Sequence, residues 1–106
     1  MPAFTLGANG DVRLPFFPVP ERVLLGASRN GTIHYSVESE YPVNIYIADH
    51  MGLAEFAQGV EFLTYDARIG VMAHNNNIVL PLTGQAYYLI IVNTNPYPIA
   101  VYYQLT

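Results

Sequence analysis

Cysteine, tryptophan and lysine are absent from this chain of 106 residues, and charge of either sign is scarce at 11%. An ordinary soluble domain carries about 25% charged residues. Without cysteine there is no disulfide framework, no thiol nucleophile and no thiolate metal site. The four basic residues are Arg13, Arg22, Arg29 and Arg68, against eight acids and a formal net charge of −4. Nucleic-acid binding needs clustered positive charge that displaces counterions from phosphate, and four scattered arginines on an acidic chain do not supply it. A polybasic attraction to anionic lipid is excluded for the same reason. The longest apolar run, Ala86 to Val92, is far short of the ~20 residues of a transmembrane helix. The opening residues, Met1 to Gly7, lack the basic and apolar stretches of a signal peptide. With cysteine missing as well, the expected location is cytoplasmic.

What is abundant is apolar and aromatic. Hydrophobic residues make up 52% of the chain, with nine tyrosines and five phenylalanines. Disorder is therefore excluded, and one core without staples is within reach at this length. The pattern has period two. Ile33, Tyr35 and Val37 share one face, with His34, Ser36 and Glu38 on the other. Val43, Ile45 and Ile47 repeat this spacing, as do Ile99, Val101, Tyr103 and Leu105. Ala86–Val92 is apolar on both faces and reads as a central strand covered on both sides.

Turn chemistry punctuates the runs. Asn30-Gly31 reads as a tight hairpin. Glu40-Tyr41-Pro42, Leu82-Thr83-Gly84-Gln85 and Thr94-Asn95-Pro96-Tyr97-Pro98 read as corners. About eight strands result, at 11–17, 23–28, 32–38, 43–49, 60–65, 78–82, 86–93 and 99–105. The expected fold is a single all-β domain over 1–106, an antiparallel β-sandwich of jelly-roll type. Residues 51–59 alone carry helical spacing, through Leu53, Phe56 and Ala57, with Asp49 as N-terminal cap and Gly59 as C-terminal stop. Residues 1–22 form a proline-rich edge segment, with Pro15, Pro18 and Pro20 around Phe16, Phe17 and Val19.

From Val43 onward the chain resembles a small bacterial β-sandwich family of unknown function that is sometimes fused to TIR signalling domains. The resemblance rests on Val43-Asn44-Ile45-Tyr46-Ile47-Ala48-Asp49, then Phe56, Gly59, Phe62 and Tyr65. It continues through Leu80-Pro81-Leu82, Gly84 and Tyr88-Leu89-Ile90-Ile91-Val92. The chain departs from it in lacking tryptophan and in carrying Asp66-Ala67 where the family has two glycines. The resemblance implies a fold and an accessory role, and no catalytic residue.

No residue set assembles a catalytic site. There is no Gly-x-Ser-x-Gly elbow and no His-Glu-x-x-His pattern; Glu38 and Glu40 share a strand face and read as solvated. The chain is therefore expected to be non-enzymatic and to need no cofactor. Asp49-His50, with Asp66 approaching from a loop, offers too few oxygens for calcium, so no metal is expected. Two binding readings remain. The tyrosines and asparagines provide ring faces and paired amide groups suited to a glycan or other small ligand, with Asp49, His50, His74, Asn75, Asn76 and Asn77 as the candidate residues. Alternatively, a tyrosine-rich, lysine-free surface has the composition of an interface core. Self-association or a dedicated protein partner then becomes the favoured expectation, with Phe16, Phe17, Tyr97 and Tyr102 as candidate anchors. The Arg13–Pro20 segment and the closing strand Ile99–Thr106 are the expected contact surfaces.

Overall fold

The computed structural model describes the backbone of residues 3–23 and 26–106, and their side chains except for 21–28. Among these described residues seven strands and one helix follow in the order β1 (Ala3–Leu6), β2 (Asp11–Phe16), β3 (Val19–Val23), β4 (Gly26–Ala48), α1 (His50–Ala57), β5 (Asp66–Pro81), β6 (Tyr87–Asn93) and β7 (Ile99–Leu105). All strand pairs are antiparallel. They make one seven-stranded sheet of order β1-β7-β4-β6-β2, with β3 and β5 also bonded to β4, curled into half a barrel. The all-β class with a single short helix is as the alternation implies.

β4 is the spine. Its residues pair in succession with β3, β7 and β6, while β5 runs beside it from Asn30 to Ile47. Two irregularities bend this ribbon. Between Glu38 and Val43 four residues of β4 oppose the single residue Met72, so Glu40-Tyr41-Pro42 is an irregularity within one strand and does not separate the two strands expected at 32–38 and 43–49. Between Val43 and Ile45, β5 takes up an extra residue at Gly70, whose φ of 67° is the left-handed region that a glycine bulge uses. Gly70 N–H donates to Asn44 Oδ1 at 3.0 Å. The bend is sharp enough that Asp66 and Asn76, ten residues apart on β5, touch through their side chains at 3.1 Å. A straight strand of that length spans about 33 Å.

The alternating residues fill the concave side. Ile33, Tyr35, Val37, Val43, Ile45 and Ile47 are all buried, together with Leu6, Phe16, Leu80, Tyr87, Leu89, Ile91, Ile99 and Val101. Removing each such side chain from water stabilises the fold by about 1.5–3 kcal/mol. On the convex side α1 lies over the end of β4 through Gly52, where an added Cβ would meet Ala48 Cβ and Leu63 O at 3.1 Å. Tyr46, Phe56 and Phe62 pack as a ring trio, with centroids 5.3–6.3 Å apart. β6 therefore has cover on both faces, as its doubly apolar sequence suggests. Asp49 caps α1 as expected, accepting from Gly52 N–H at 2.8 Å, and Gly59 follows the helix at φ 73°.

Several expected boundaries are corrected. Arg29-Asn30-Gly31 lies inside β4, and Gly31 has no positive φ. Glycine is required there for space, because a Cβ would sit 2.6 Å from Pro18 Cβ and 2.9 Å from Leu82 Cδ2. The expected strand 23–28 is shared between β3 and β4, with Leu24 and Leu25 outside the described residues. Residues 60–65 are not a strand; β5 instead starts at Asp66 and includes the Asn75–Asn77 run, which lay outside the expected strands. An asparagine run can join a strand when a long partner such as β4 supplies the ladder. The proline-rich start contains three strands rather than one edge segment. Its prolines do sit at tolerant places: Pro15 on edge strand β2 and Pro20 at a register shift in β3. The closing strand β7 is interior to the sheet, held by β1 on one side and β4 on the other, so it is no free edge.

Candidate functional site

The candidate residues separate into three places. Asp49 and His50, at the start of α1, line an open cavity of about 250 Å³ with Met51, Thr83 and Gln85. That is slightly below the ~300–1,000 Å³ of ordinary small-molecule sites. Asp49 is already engaged: Oδ1 takes the helix N–H, and Oδ2 accepts from Tyr65 Oη at 3.2 Å. Burial, and after it the charge of Asp49, push the Tyr65 phenol above its ordinary value. Tyr65 packs edge-on against Tyr87 at 5.3 Å, and Tyr87 donates to Pro81 O. What this cavity offers a ligand is the His50 ring, a hydroxyl from Thr83, an amide from Gln85 and the Met51 thioether.

His74 and Asn76 lie elsewhere, on the concave face of β5. There they converge on Asp66, which the bend brings back over Tyr35. Tyr35 donates to the Asp66 carboxylate. Asn76 Nδ2 donates to Oδ2 at 3.1 Å, His74 Nε2 stands 3.4 Å from the same oxygen, and Ala67 N–H donates to Oδ1 at 3.0 Å. Burial alone would raise the Asp66 carboxyl, but the hydrogen bonds from Tyr35, Asn76 and His74 together hold it below its ordinary value. Burial first, then the hydrogen bond to Asp66, push the Tyr35 phenol far upward. This is a neutral phenol serving an ionised carboxylate, which fixes the bend. Asp66 does not approach Asp49 and His50, contrary to the geometry weighed for a metal. Among the described residues no three His, Cys, Asp or Glu side chains gather where they could share an ion.

The third place is the convex face of β5. Asn77 is turned outward, and its Oδ1 accepts from His34 Nδ1; Asn75 beside it is exposed. The asparagine run is thus split by strand alternation, with Asn76 inward and Asn75 and Asn77 outward, and does not form one polar rim. Of the candidate anchors, Phe16 is 8% exposed and stacks on Tyr87 at 6.1 Å, so it belongs to the core. Phe17 is 66% exposed, and Tyr97 and Tyr102 are each 42% exposed. Tyr97 packs edge-on against Tyr41 at 5.1 Å.

Two arrangements escaped the sequence. Asp66 reads as a loop acid until β5 bends. Asn93 is fully buried, its Nδ2 shared among Leu6 O, Gly7 O and Tyr97 O at 2.9–3.2 Å, with Oδ1 accepting from Asn95 N and Nδ2 at 2.9 Å. The signal was present, because Asn93 continues the inward series Tyr87, Leu89 and Ile91. Among the described residues no helix is long and apolar enough to cross a membrane. Neither the known protein-family models nor the curated proteins give a match to this chain.

Proposed function

We propose that the chain is a non-enzymatic protein-interaction module, a sandwich-type fold whose two layers are the halves of one bent sheet, and that it associates with itself or with a dedicated protein partner. The observation that carries this reading is the number of large apolar side chains left in water on a surface with few charges to keep copies apart. Around α1, Leu63 is 85% exposed and Met51 67% exposed. With Glu55, Glu61 and Phe62 they line a second open cavity of about 400 Å³. Phe17 and Val19 form another such place, and Ile69, Met72 and Val79 are exposed along β5. Contiguous exposed apolar patches mark interaction sites in soluble proteins. An accessory role, as the second-half resemblance implies, agrees with this reading. Light scattering on the purified chain over a wide concentration range tests it: the mass grows with concentration, or a specific protein partner is captured at fixed stoichiometry. A monomer that captures none overturns the reading.

The cavity at Asp49 and His50 favours a second reading, a small neutral polar ligand or glycan end held at the helix start. Tyr65 and Tyr87 lie close enough to report it, so binding would change tyrosine fluorescence. A sugar array with no signal, together with unchanged fluorescence, rejects it.

A further inference from the structure

Among the described residues, four strands are bonded to the sheet along one side only: β1, β2, β3 and β5. The first three span 4, 6 and 5 residues, whereas β5 spans 16. Long open edges are templates for another strand, and monomeric proteins blunt them with lysine, other charge or proline. From Ile69 to Pro81 this edge has no Asp, Glu, Lys or Arg, and its only proline is the last residue.

The ladder shows which backbone groups are free. His34 exchanges both of its backbone bonds with Thr106, at 2.9 and 2.8 Å, on the β7 side of β4. Neighbouring residues of a strand point to opposite sides, so Ile33, Tyr35 and Val37 turn theirs to β5. Opposite them stand Ile78, Asn76 and His74. Ala73, Asn75, Asn77 and Val79 therefore direct N–H and C=O away from β4. Asn77 N–H behaves as a group without a ladder partner, donating instead to the Asn76 side chain at 2.9 Å.

Resting on the interaction-module reading, we infer that this edge pairs antiparallel with the same edge of a second copy, about a two-fold axis at Asn76. Around that residue the outward positions of Ala73-His74-Asn75-Asn76-Asn77-Ile78-Val79 mirror one another, Asn75 with Asn77 and Ala73 with Val79, whereas the inward pair His74 and Ile78 does not. The two-fold register sets Asn75 against Asn77 of the second copy, and Ala73 against Val79. Each of these is a pair of outward-facing residues placed to exchange both backbone bonds, with Asn77 N–H released from the Asn76 side chain on pairing; amide faces amide, and apolar faces apolar. Centring the axis one residue earlier, on Asn75, would place Asn77 against Ala73 and lose this match. No like charges meet. The interface is isologous and closes at two copies, which protects an edge that would otherwise continue to add strands.

A charge-swap series on the full chain tests the pairing, read by light scattering for mass and circular dichroism for fold. Asn75→Lys with Asn77→Lys puts lysine against lysine at both pairs and should weaken association by at least about tenfold without altering the sheet signal. Asn75→Lys with Asn77→Glu puts opposite charges at the same positions and should restore the dimer. Asn75→Pro removes one outward N–H while leaving the β4 ladder intact, and should also give a folded monomer. If the double-lysine chain associates as tightly as the parent, the β5 pairing is wrong while the interaction reading stands. If the lysine–glutamate chain fails to recover, or the parent grows beyond a dimer, the Asn76-centred register is wrong. A parent chain that is monomeric throughout removes self-association itself.

Discussion

Two groups of asparagines in this chain have opposite fates. At the Asn93–Asn95 corner both ends of the Asn93 amide are bonded, and the Asn95 side chain donates as well. Asn93 holds the β1–β2 connection through Leu6 O and Gly7 O, and the β6–β7 connection through Tyr97 O. Asn95 reaches across to Pro42 O at 2.9 Å, on the β4 corner. On β5 the run Asn75–Asn77 is instead spread over both faces of an edge strand, and the backbone groups of two of its three residues face outward. The same side chain is a structural latch where three connections converge and a surface group where a ladder stops. Burial separates the two: an unpaired polar group costs little in water and much in the core.

The largest effect should come from breaking the latch. Asn93→Ala leaves three carbonyls and the Asn95 N–H without their partner in a buried corner, and should cost about 3 kcal/mol, read from urea unfolding. A loss below ~1 kcal/mol would mean that water replaces the side chain and that the two asparagine groups are equivalent. Next, Gly31→Ala pushes a methyl group against Pro18 and Leu82 and should cost about 1–3 kcal/mol as overpacking. A stabilised variant would show that the β3–β4 contact gives way freely.

Asp66 lies between the two extremes, half-buried and fully bonded. Its carboxyl is lowered in the folded protein, so its contribution is complete above the unfolded carboxyl value of about 4 and is lost as pH falls through the lower folded value. Asp66→Asn should therefore be less stable than the parent at neutral pH, with the gap closing in acid. A gap independent of pH would assign the effect to packing rather than to charge. The smallest effect belongs to the open edge. Asn75→Ala should change stability by less than about 0.5 kcal/mol, while amide exchange at Ala73, Asn75 and Val79 is fast and that at Ile90 and Asn93 is slow. Slow exchange at Asn75 in dilute solution would mean that the edge is already covered.

The class of structure and most of the core were legible along the chain. Period-two alternation named Ile33, Tyr35, Val37, Val43, Ile45 and Ile47 as inward, and each is buried, because the alternation is a property of the extended backbone. Asp49 and Gly59 marked the ends of the one helix for equally local reasons. Pairing and curvature were not, because they arise from contacts between distant strands. A turn signal such as Asn30-Gly31 states what a backbone can do; pairing with β5, and at Gly31 with β3 as well, keeps it extended. The Asn75–Asn77 run became a strand because β4 lay beside it. Asp66 met Tyr35, His74 and Asn76 because the irregularities opposite Met72 and at Gly70 fold β5 back on itself. Contacts between residues ten and more positions apart depend on which strands lie side by side, and no window along the chain contains that information.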